Sequence, residues 1–288
     1  MKRLVYALLL VFFAASCGKN GWYINVDNTA WEISSDTQVG WPCFLDDVNV
    51  SIILKNKDNS HFSTLNGTFT VDGHRVDVSA DGGSVRMIRT FSHLKNSSNR
   101  NYRSLSPLAP DPLGGSIWAC MKDTDFIFYH FLEDGSCRKG VFKNAPHKEG
   151  IPYGWEISSP AFTVDGSHFS SADDKGSFFG NSFLKLETMA VPFISAPGST
   201  ERPSSPLKGT FWSYRTNRYP GFILFTSATE FTRILVSSPT AFDVLTGTYR
   251  IKGGSVEFIT EATELCRTCP ISNGQFTYLE KTYSIMLF

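Results

Sequence analysis

Short runs of alternating apolar and polar residues, separated by turn residues, cover most of the chain. In its last third such runs occupy 210–214, 222–226, 230–236, 245–251, 255–260 and 275–288. This alternation predicts strands with one buried face, and the Val, Ile, Thr, Phe and Tyr that dominate the runs pack well on a pleated surface. No long stretch has the period of a helix. We therefore predict an all-β protein, with about six antiparallel strands in this last segment.

The same pattern occurs three times. The segment 65–76 is repeated at 245–256 with Leu, Gly-Thr, an aromatic residue, Gly and Val in register, and 162–166 repeats 69–73 without a change. Upstream of each copy lies a tryptophan in a similar setting: Trp31, Trp118 and Trp212. A large ring at a repeated position is typical of a buried core residue. We expect these three tryptophans to lie in the core of the repeated units.

Two segments rich in proline and serine, 97–115 and 195–209, separate the copies. Residues of this kind form poor strands and poor helices, so the segments are interpreted as connections. The predicted organisation is a signal segment at 1–17, followed by three tandem antiparallel β-meander units at 18–105, 106–200 and 201–288. Each unit is expected to be a small barrel or sandwich.

The chain begins with Lys2 and Arg3, an apolar run at 4–15, and then Ser16 and Cys17. Two cations before an apolar run too short to span a bilayer are typical of a secretory signal peptide. The segment 14–17, Ala-Ala-Ser-Cys, resembles the lipobox of bacterial lipoproteins. The resemblance implies that the Cys17 thiol carries diacylglycerol and that the signal is cut before it. Gly18 follows where Asp would favour retention in the inner membrane, so we expect an outer-membrane lipoprotein facing either side.

The units also carry a family resemblance. Gly-Thr-x-Trp at 209–212, Phe-Ile-x-Phe at 222–225 and Gly-Thr-Tyr-x-Ile at 247–251 resemble the small lipocalin-like (calycin-type) domains found in lipoproteins of gut anaerobes. That likeness implies a small barrel with a tryptophan at its end. In the first copy Asn28 replaces the opening glycine. Each unit is short for an eight-stranded barrel.

Charge and motifs narrow the function. The 27 basic and 27 acidic residues give no formal net charge, and no basic patch is visible, which argues against a nucleic-acid partner. Hydrolase, zinc and phosphate-loop motifs are absent from the sequence. None of the histidines recurs at one position in all three copies. We predict a protein that is not an enzyme, with no catalytic residue, metal or cofactor.

Five cysteines follow the lipobox, and an exported protein meets an oxidising compartment. Cys120 and Cys137 flank a predicted hairpin and are candidates for a disulfide across it. Cys266 and Cys269 form a C-x-x-C in a predicted loop, for which a small-loop disulfide is the first interpretation. Inert thiols, or a metal or redox role, are the alternatives. Cys43 is then left without a partner.

Three aromatic residues, Trp41, Tyr153 and Trp155, lie in segments flanked by glycine and proline. Exposed aromatic residues in loops are common platforms for sugar rings or partner proteins, although these could instead cap the ends of the units. We predict a lipid-anchored, non-catalytic binding module for a glycan or a protein partner. The alternatives are a structural subunit of an envelope assembly and a lipocalin-like carrier of a small apolar ligand, which requires a cavity in a barrel.

Overall fold

The computed structural model describes residues 23–58, 60–80, 83–145, 154–196, 205–216, 219–260 and 263–286, with the backbone alone at 215, 260 and 263–267. These residues form 25 strands and no helix. The all-β prediction is therefore confirmed. Within the same ranges, no helix long and apolar enough to cross a membrane is found. The strands fall into three groups, called unit 1, unit 2 and unit 3.

Unit 1 is a closed barrel of eight strands. They are β1 (Ala30–Ser34), β2 (Gln38–Phe44), β3 (Asn49–Asn56), β4 (His61–Asp72), β5 (Arg75–Ala80), β6 (Gly83–Arg89), β7 (Leu94–Asn96) and β8 (Asn101–Leu105). Each strand pairs antiparallel with the next, and β8 pairs with β1. The expectation that a unit is too short for eight strands is wrong, because strands as short as three residues and tight turns suffice.

Unit 2 has the same order, with its fourth strand in two pieces. Its strands are β9 (Ile117–Lys122), β10 (Asp125–Phe131), β11 (Cys137–Lys143), β12 (Gly154–Ser158), β13 (Phe162–Asp165), β14 (His168–Ser171), β15 (Lys175–Phe178), β16 (Phe183–Leu186) and β17 (Ala190–Ser195). The fourth strand is interrupted around Pro160, which has no N–H to donate to a ladder. The equivalent residue of unit 1 is Gly67, where an added Cβ would lie 2.0 Å from the Ser79 carbonyl oxygen. Both residues allow the fourth strand to bend from one neighbour to the other.

Unit 3 contains β18 (Phe211–Arg215), β19 (Pro220–Phe225), β20 (Glu230–Ser238), β21 (Ala241–Lys252), β22 (Ser255–Thr260), β23 (Thr263–Pro270), β24 (Gln275–Tyr278) and β25 (Lys281–Met286). These are eight strands, not six. The segment expected to be a loop around the C-x-x-C is strand β23, which pairs with β22. The pairing follows unit 1, except that no β23–β24 ladder is present in the described residues.

Each unit begins with the same turn, followed by the same buried tryptophan. The tryptophans are buried, and each indole N–H donates at 2.8 Å to a hydroxyl two residues earlier, in the pairs Trp31–Thr29, Trp118–Ser116 and Trp212–Thr210. Each hydroxyl donates in turn to the carbonyl three residues before it. The residue before the hydroxyl has a positive φ in every copy: 58° at Asn28, 79° at Gly115 and 77° at Gly209. Asn28 can replace glycine because asparagine is among the non-glycine residues that most often adopt the left-handed region.

Side chains fill the interior of each unit. In unit 3 the interior holds eight buried aromatic residues, namely Trp212, Phe225, Phe231, Tyr249, Phe258, Phe276, Tyr278 and Tyr283. Units 1 and 2 have separate clusters of the same kind around their own tryptophans. Each interior is therefore a packed core.

A fourth apolar cluster lies between the units and is called the central cluster. Its members come from the outer faces of strands in all three units. Aligning the copies on their tryptophans shows that three sets of equivalent positions supply much of it: Ala30, Ile117 and Phe211; Trp41, Phe128 and Phe222; Phe62, Trp155 and Phe242. The barrels are therefore joined through repeated positions on their outer surfaces.

Backbone contacts also join the units. Strand β21 of unit 3 pairs antiparallel with β4 of unit 1 at Phe242–Phe62, so the two barrels share one continuous sheet. The connection between units 1 and 2 is attached to unit 2, since Leu108 N–H donates to the Phe178 carbonyl at 2.9 Å. The proline-rich segment is thus part of the folded body where it is described.

We expect Phe222→Ala to lower the free energy of unfolding by about 3–5 kcal/mol, the usual cost of removing a buried ring. Phe222 is 0% exposed, and its ring centroid lies 4.7 Å from that of Phe126 in unit 2. Denaturant unfolding followed by circular dichroism would measure the change. The control is Phe91→Ala, which removes a ring that is 79% exposed and should change the free energy by about 0.5 kcal/mol or less. Equal midpoints for the two variants would contradict a stabilising role of the central cluster.

Candidate functional site

Trp41 does not lie in an exposed loop. It is part of strand β2, is 7% exposed, and packs against Phe183 of unit 2 at a centroid distance of 6.1 Å. Its indole N–H donates to the Glu32 carboxylate at 2.9 Å. The prediction of a binding platform at Trp41 is therefore wrong, because the ring is covered where two units meet.

Trp155 also lies at a contact between two units, where its side chain is half-buried. It lies in strand β12, and its ring stacks on Phe211 and Phe222 of unit 3 with centroids 5.7 Å and 5.5 Å away. Its position is equivalent to that of Phe62 and Phe242, so it belongs to a three-copy set of aromatic residues that the tryptophan pattern alone does not reveal. Its indole N–H is buried and has no hydrogen-bond partner in the described part of the chain. Trp155 therefore packs at the contact between units 2 and 3. The other two predicted site residues, Tyr153 and Cys17, lie outside the described residues.

Cys120 and Cys137 are not bonded to each other. Cys120 faces Ile127 and Cys137 faces Phe131, on opposite sides of strand β10. The two cysteines are thus two strands apart and offset along the strand by four residues, or about 13 Å, whereas a disulfide needs Cα atoms within about 7 Å. Both are free thiols, and burial raises the pKa of each to about 12. The predicted disulfide is wrong because the two cysteines lie on the outer strands of three adjacent strands, with β10 between them.

The C-x-x-C lies within β23. Cα atoms three residues apart in an extended strand are separated by about 10 Å, beyond the reach of a disulfide. A small-loop bond between Cys266 and Cys269 therefore does not fit this backbone. The Cys269 side chain is buried in the core of unit 3, and the Cys266 side chain is outside the described residues. Cys43 is buried in the central cluster, and burial raises its thiol pKa.

A cavity of about 560 Å³, with both charged and apolar lining residues, opens where unit 2 meets unit 3. Unit 2 contributes β10, β11 and the turn between them, while unit 3 contributes the turn before Trp212 and the end of β25. The cavity is lined by Gly115, His130, Leu132, Glu133, Asp134, Arg138, Ser205, Lys208, Gly209, Thr210, Thr226, Ile285 and Met286. Its size lies in the range of small-molecule sites.

His130 lines this cavity although it is only 3% exposed. Burial, together with repulsion from Arg138, lowers its pKa from 6.5 to about 3. The imidazole is therefore neutral near pH 7 and offers one donor and one acceptor. Units 1 and 3 have Cys43 and Leu224 at the equivalent positions, so the imidazole is particular to unit 2.

Two cations and two carboxylates surround the histidine. Arg138 donates to the Gly209 carbonyl of unit 3 at 2.8 Å, and desolvation lowers its pKa without discharging it. Lys208 of unit 3 forms an ion pair with Glu133 of unit 2 at 2.5 Å. Hydrogen bonds from Ser136 lower the pKa of Asp134. The cavity thus presents fixed charges of both signs beside apolar atoms of Ile285 and Met286.

Two further cavities occupy equivalent places in units 1 and 3. One of about 500 Å³ includes Gly67 and Thr68, and one of about 530 Å³ includes Gly247 and Thr248. Both lie against unit 2 where the fourth strand bends. The second is lined by fewer charged groups than the cavity at His130, with Glu230 as its ionisable side chain. Over the described ranges, no group of three His, Cys, Asp or Glu side chains could hold a metal ion.

Sequence reasoning missed His130, Arg138 and Lys208. A signal for the first two was present, because an alignment of the copies places His130 opposite Cys43 and Leu224, and Arg138 opposite Ser51 and Thr232. A search for histidines at the same position in all three copies excludes His130, because only unit 2 has a histidine there. Lys208 carries no such signal, since its place at the cavity depends on how two units pack.

Comparison with known proteins does not assign the chain to a family. No family model matches the chain, and no curated protein matches it in sequence. Among solved structures, the chain matches the DNA polymerase III subunit beta sliding clamp of Bartonella birtlesii. The match has 6% identity, covers 91% of this chain and 93% of that chain, and has a TM-score of 0.15. The DNA polymerase III subunit beta of Pseudomonas aeruginosa gives 6% identity over 92% and 94%, with a TM-score of 0.14. Scores this low carry no structural argument.

We expect His130→Leu to make the free energy of unfolding fall less when the pH is lowered. Because the pKa of His130 is about 3 in the fold and near 6.5 in an unfolded chain, the unfolded state binds the extra proton between these values. Stability therefore falls as pH is lowered through this window, and at pH 4 the loss relative to pH 7 should be smaller in the variant by about 3 kcal/mol. Urea unfolding at the two pH values measures this.

The substitution introduces the residue that unit 3 has at the equivalent position, so we expect the fold to tolerate it. Phe131→Leu, at the next and equally buried position of β10, is the matched control, because it removes no titrating group. Parallel pH dependence in His130→Leu and the unsubstituted protein would show that His130 is not held neutral.

Proposed function

We propose that the chain is a lipid-anchored, non-catalytic binding protein of the cell envelope, with a glycan-sized polar ligand in the cavity between units 2 and 3. The observation that carries the proposal is His130, which is neutral, almost fully buried, and next to Arg138 at the wall of an open cavity. Equivalent positions in the other units hold apolar or small side chains. A buried histidine beside a half-buried arginine, at one of three equivalent sites, fits selection for a ligand better than selection for packing.

The chemistry of the cavity supports a glycan. Sugar hydroxyls both donate and accept, and the site offers Arg138 and Lys208 as donors, Glu133 as an acceptor and His130 as both. Ile285 and Met286 provide an apolar side for the C–H face of a ring. An acidic substituent on the sugar can form charge-assisted bonds, which are the stronger ones, with Arg138 or Lys208.

The lipid anchor at Cys17 and the outer-membrane location remain part of the proposal. They are supported by the charged start, the apolar run and the lipobox-like 14–17 of the sequence. The apolar-carrier alternative has less support, since aromatic side chains fill the barrels.

A structural subunit of an envelope assembly is the second candidate. The observation that favours it is the shared sheet across β4 and β21 together with the central cluster, which makes three barrels one body. A body of this kind can hold partners at fixed distances. It needs no occupied cavity, and this separates the two proposals in an experiment.

We expect titration calorimetry of the mature chain against neutral and acidic oligosaccharides to find a saturable ligand. Arg138→Gln should weaken binding about 10- to 100-fold, the usual effect of losing a hydrogen bond to a charged group. Arg86→Gln is the control, because it removes an exposed cation, ion-paired with Asp77, from unit 1. Circular dichroism checks that the fold is kept, since Arg138 also contacts Gly209.

Trp155→Phe discriminates between the cavity and the aromatic-platform hypothesis. The ring is half-buried and stacks on Phe211 and Phe222, so the conservative change should leave affinity unaltered. Failure to bind any member of the panel would favour the structural-subunit alternative, whereas binding with equal affinity by Arg138→Gln and the unsubstituted chain would place the ligand outside this cavity.

A further inference from the structure

The most exposed aromatic side chain of the described residues lies at one end of unit 1. Phe91 is 79% exposed and stands in the turn between β6 and β7. Thr90 holds that turn: its N–H and hydroxyl both donate to the His93 carbonyl, and its hydroxyl accepts from the His93 and Ser92 N–H groups. The ring is thus displayed by an ordered turn.

The chain enters the fold beside this turn. Ile24 N–H donates to the Thr90 carbonyl at 2.9 Å, and Arg89 donates to the Ile24 carbonyl at 3.2 Å. The Arg89 guanidinium also lies 5.3 Å from the centre of the Tyr23 ring and donates to the Gly73 carbonyl. These contacts fix the first described residues at the end of unit 1 that carries Phe91.

The distance from this end to the proposed lipid is short. Cys17 is six residues before Tyr23, and six residues span at most about 20 Å even when fully extended. Acyl chains on Cys17 would therefore keep this end near the bilayer surface and raise the local concentration of lipid around it. The rest of the end is polar, with exposed His74, Arg75 and His93 and with the carboxylate of Asp72.

We propose that this end of unit 1 faces the phospholipid bilayer and that Phe91 inserts its ring into the lipid interface, which fixes the orientation of the anchored protein. The inference rests on the proposed lipidation of Cys17. Aromatic side chains are favoured at the membrane–water interface. A contact that is weak by itself strengthens membrane binding when it is combined with a lipid anchor. The cavity at His130 belongs to other units and plays no part in this contact.

The test uses the full chain, purified with its acyl chains and placed in vesicles of phosphatidylethanolamine and phosphatidylglycerol with brominated acyl chains. Phe91→Trp keeps an aromatic ring and adds a fluorophore that bromine quenches at short range. Val85→Trp is the matched control, because Val85 is an exposed apolar residue, 43% exposed, in the half of β6 near the opposite end of the same barrel. The signal of the unsubstituted chain, with its own six tryptophans, is subtracted.

We expect strong quenching of the added fluorescence in Phe91→Trp and little in Val85→Trp. Vesicle flotation of the full chain and of Cys17→Ser is measured in parallel. Flotation that depends on Cys17, with equal quenching at 91 and 85, would overturn the membrane contact and leave the anchor intact. A full chain that does not float would overturn the anchor, and the membrane contact with it.

Discussion

The apolar outer faces of the barrels are the constraint on which the rest of the structure depends. A small barrel normally hides apolar residues inside and exposes polar ones, yet here large rings such as Trp41, Phe128 and Phe222 point outward. Burying one such ring removes about 150–250 Å² from water, worth up to about 4–6 kcal/mol by area. One barrel alone would expose these rings. Packing three barrels around a common cluster covers them all, so the units depend on one another.

The order of rings in the central cluster shows how the units are joined. Phe62 of unit 1 stacks on Phe242 of unit 3, which contacts Phe126 of unit 2, and Phe126 stacks on Phe222 of unit 3. Adjacent rings in this series come from different units. A change at any of these positions therefore alters a contact between barrels, not only the interior of one of them. The cavities lie at the rims of the same joints, so their shapes depend on this packing.

The sequence predicted the interior of the units better than their exterior. Alternation indicated strands, and the recurrence of Trp31, Trp118 and Trp212 indicated buried plugs, because both signals are local. Trp41 was misread because proline and glycine beside it suggest a loop. Pro42 is tolerated in β2 since the β1–β2 ladder is interrupted there, between the pairs Ile33–Gly40 and Ala30–Cys43. Whether an outward ring is covered depends on a second unit far away in sequence, and alternation carries no information about that.

The differences among the copies are more informative about function than their similarities. Ser51, Arg138 and Thr232 are equivalent, and each contacts the neighbouring unit: Ser51 accepts from Ala190 N–H, Thr232 bonds to Ser195, and Arg138 donates to the Gly209 carbonyl. The position thus has the same structural task in every copy, which serine and threonine perform without a charge. An arginine is not required for that task, and desolvating it has a cost that a hydroxyl avoids. Its presence together with a buried neutral histidine, at the joint with the largest of the three cavities described at the unit joints, is explained more simply by a ligand than by packing.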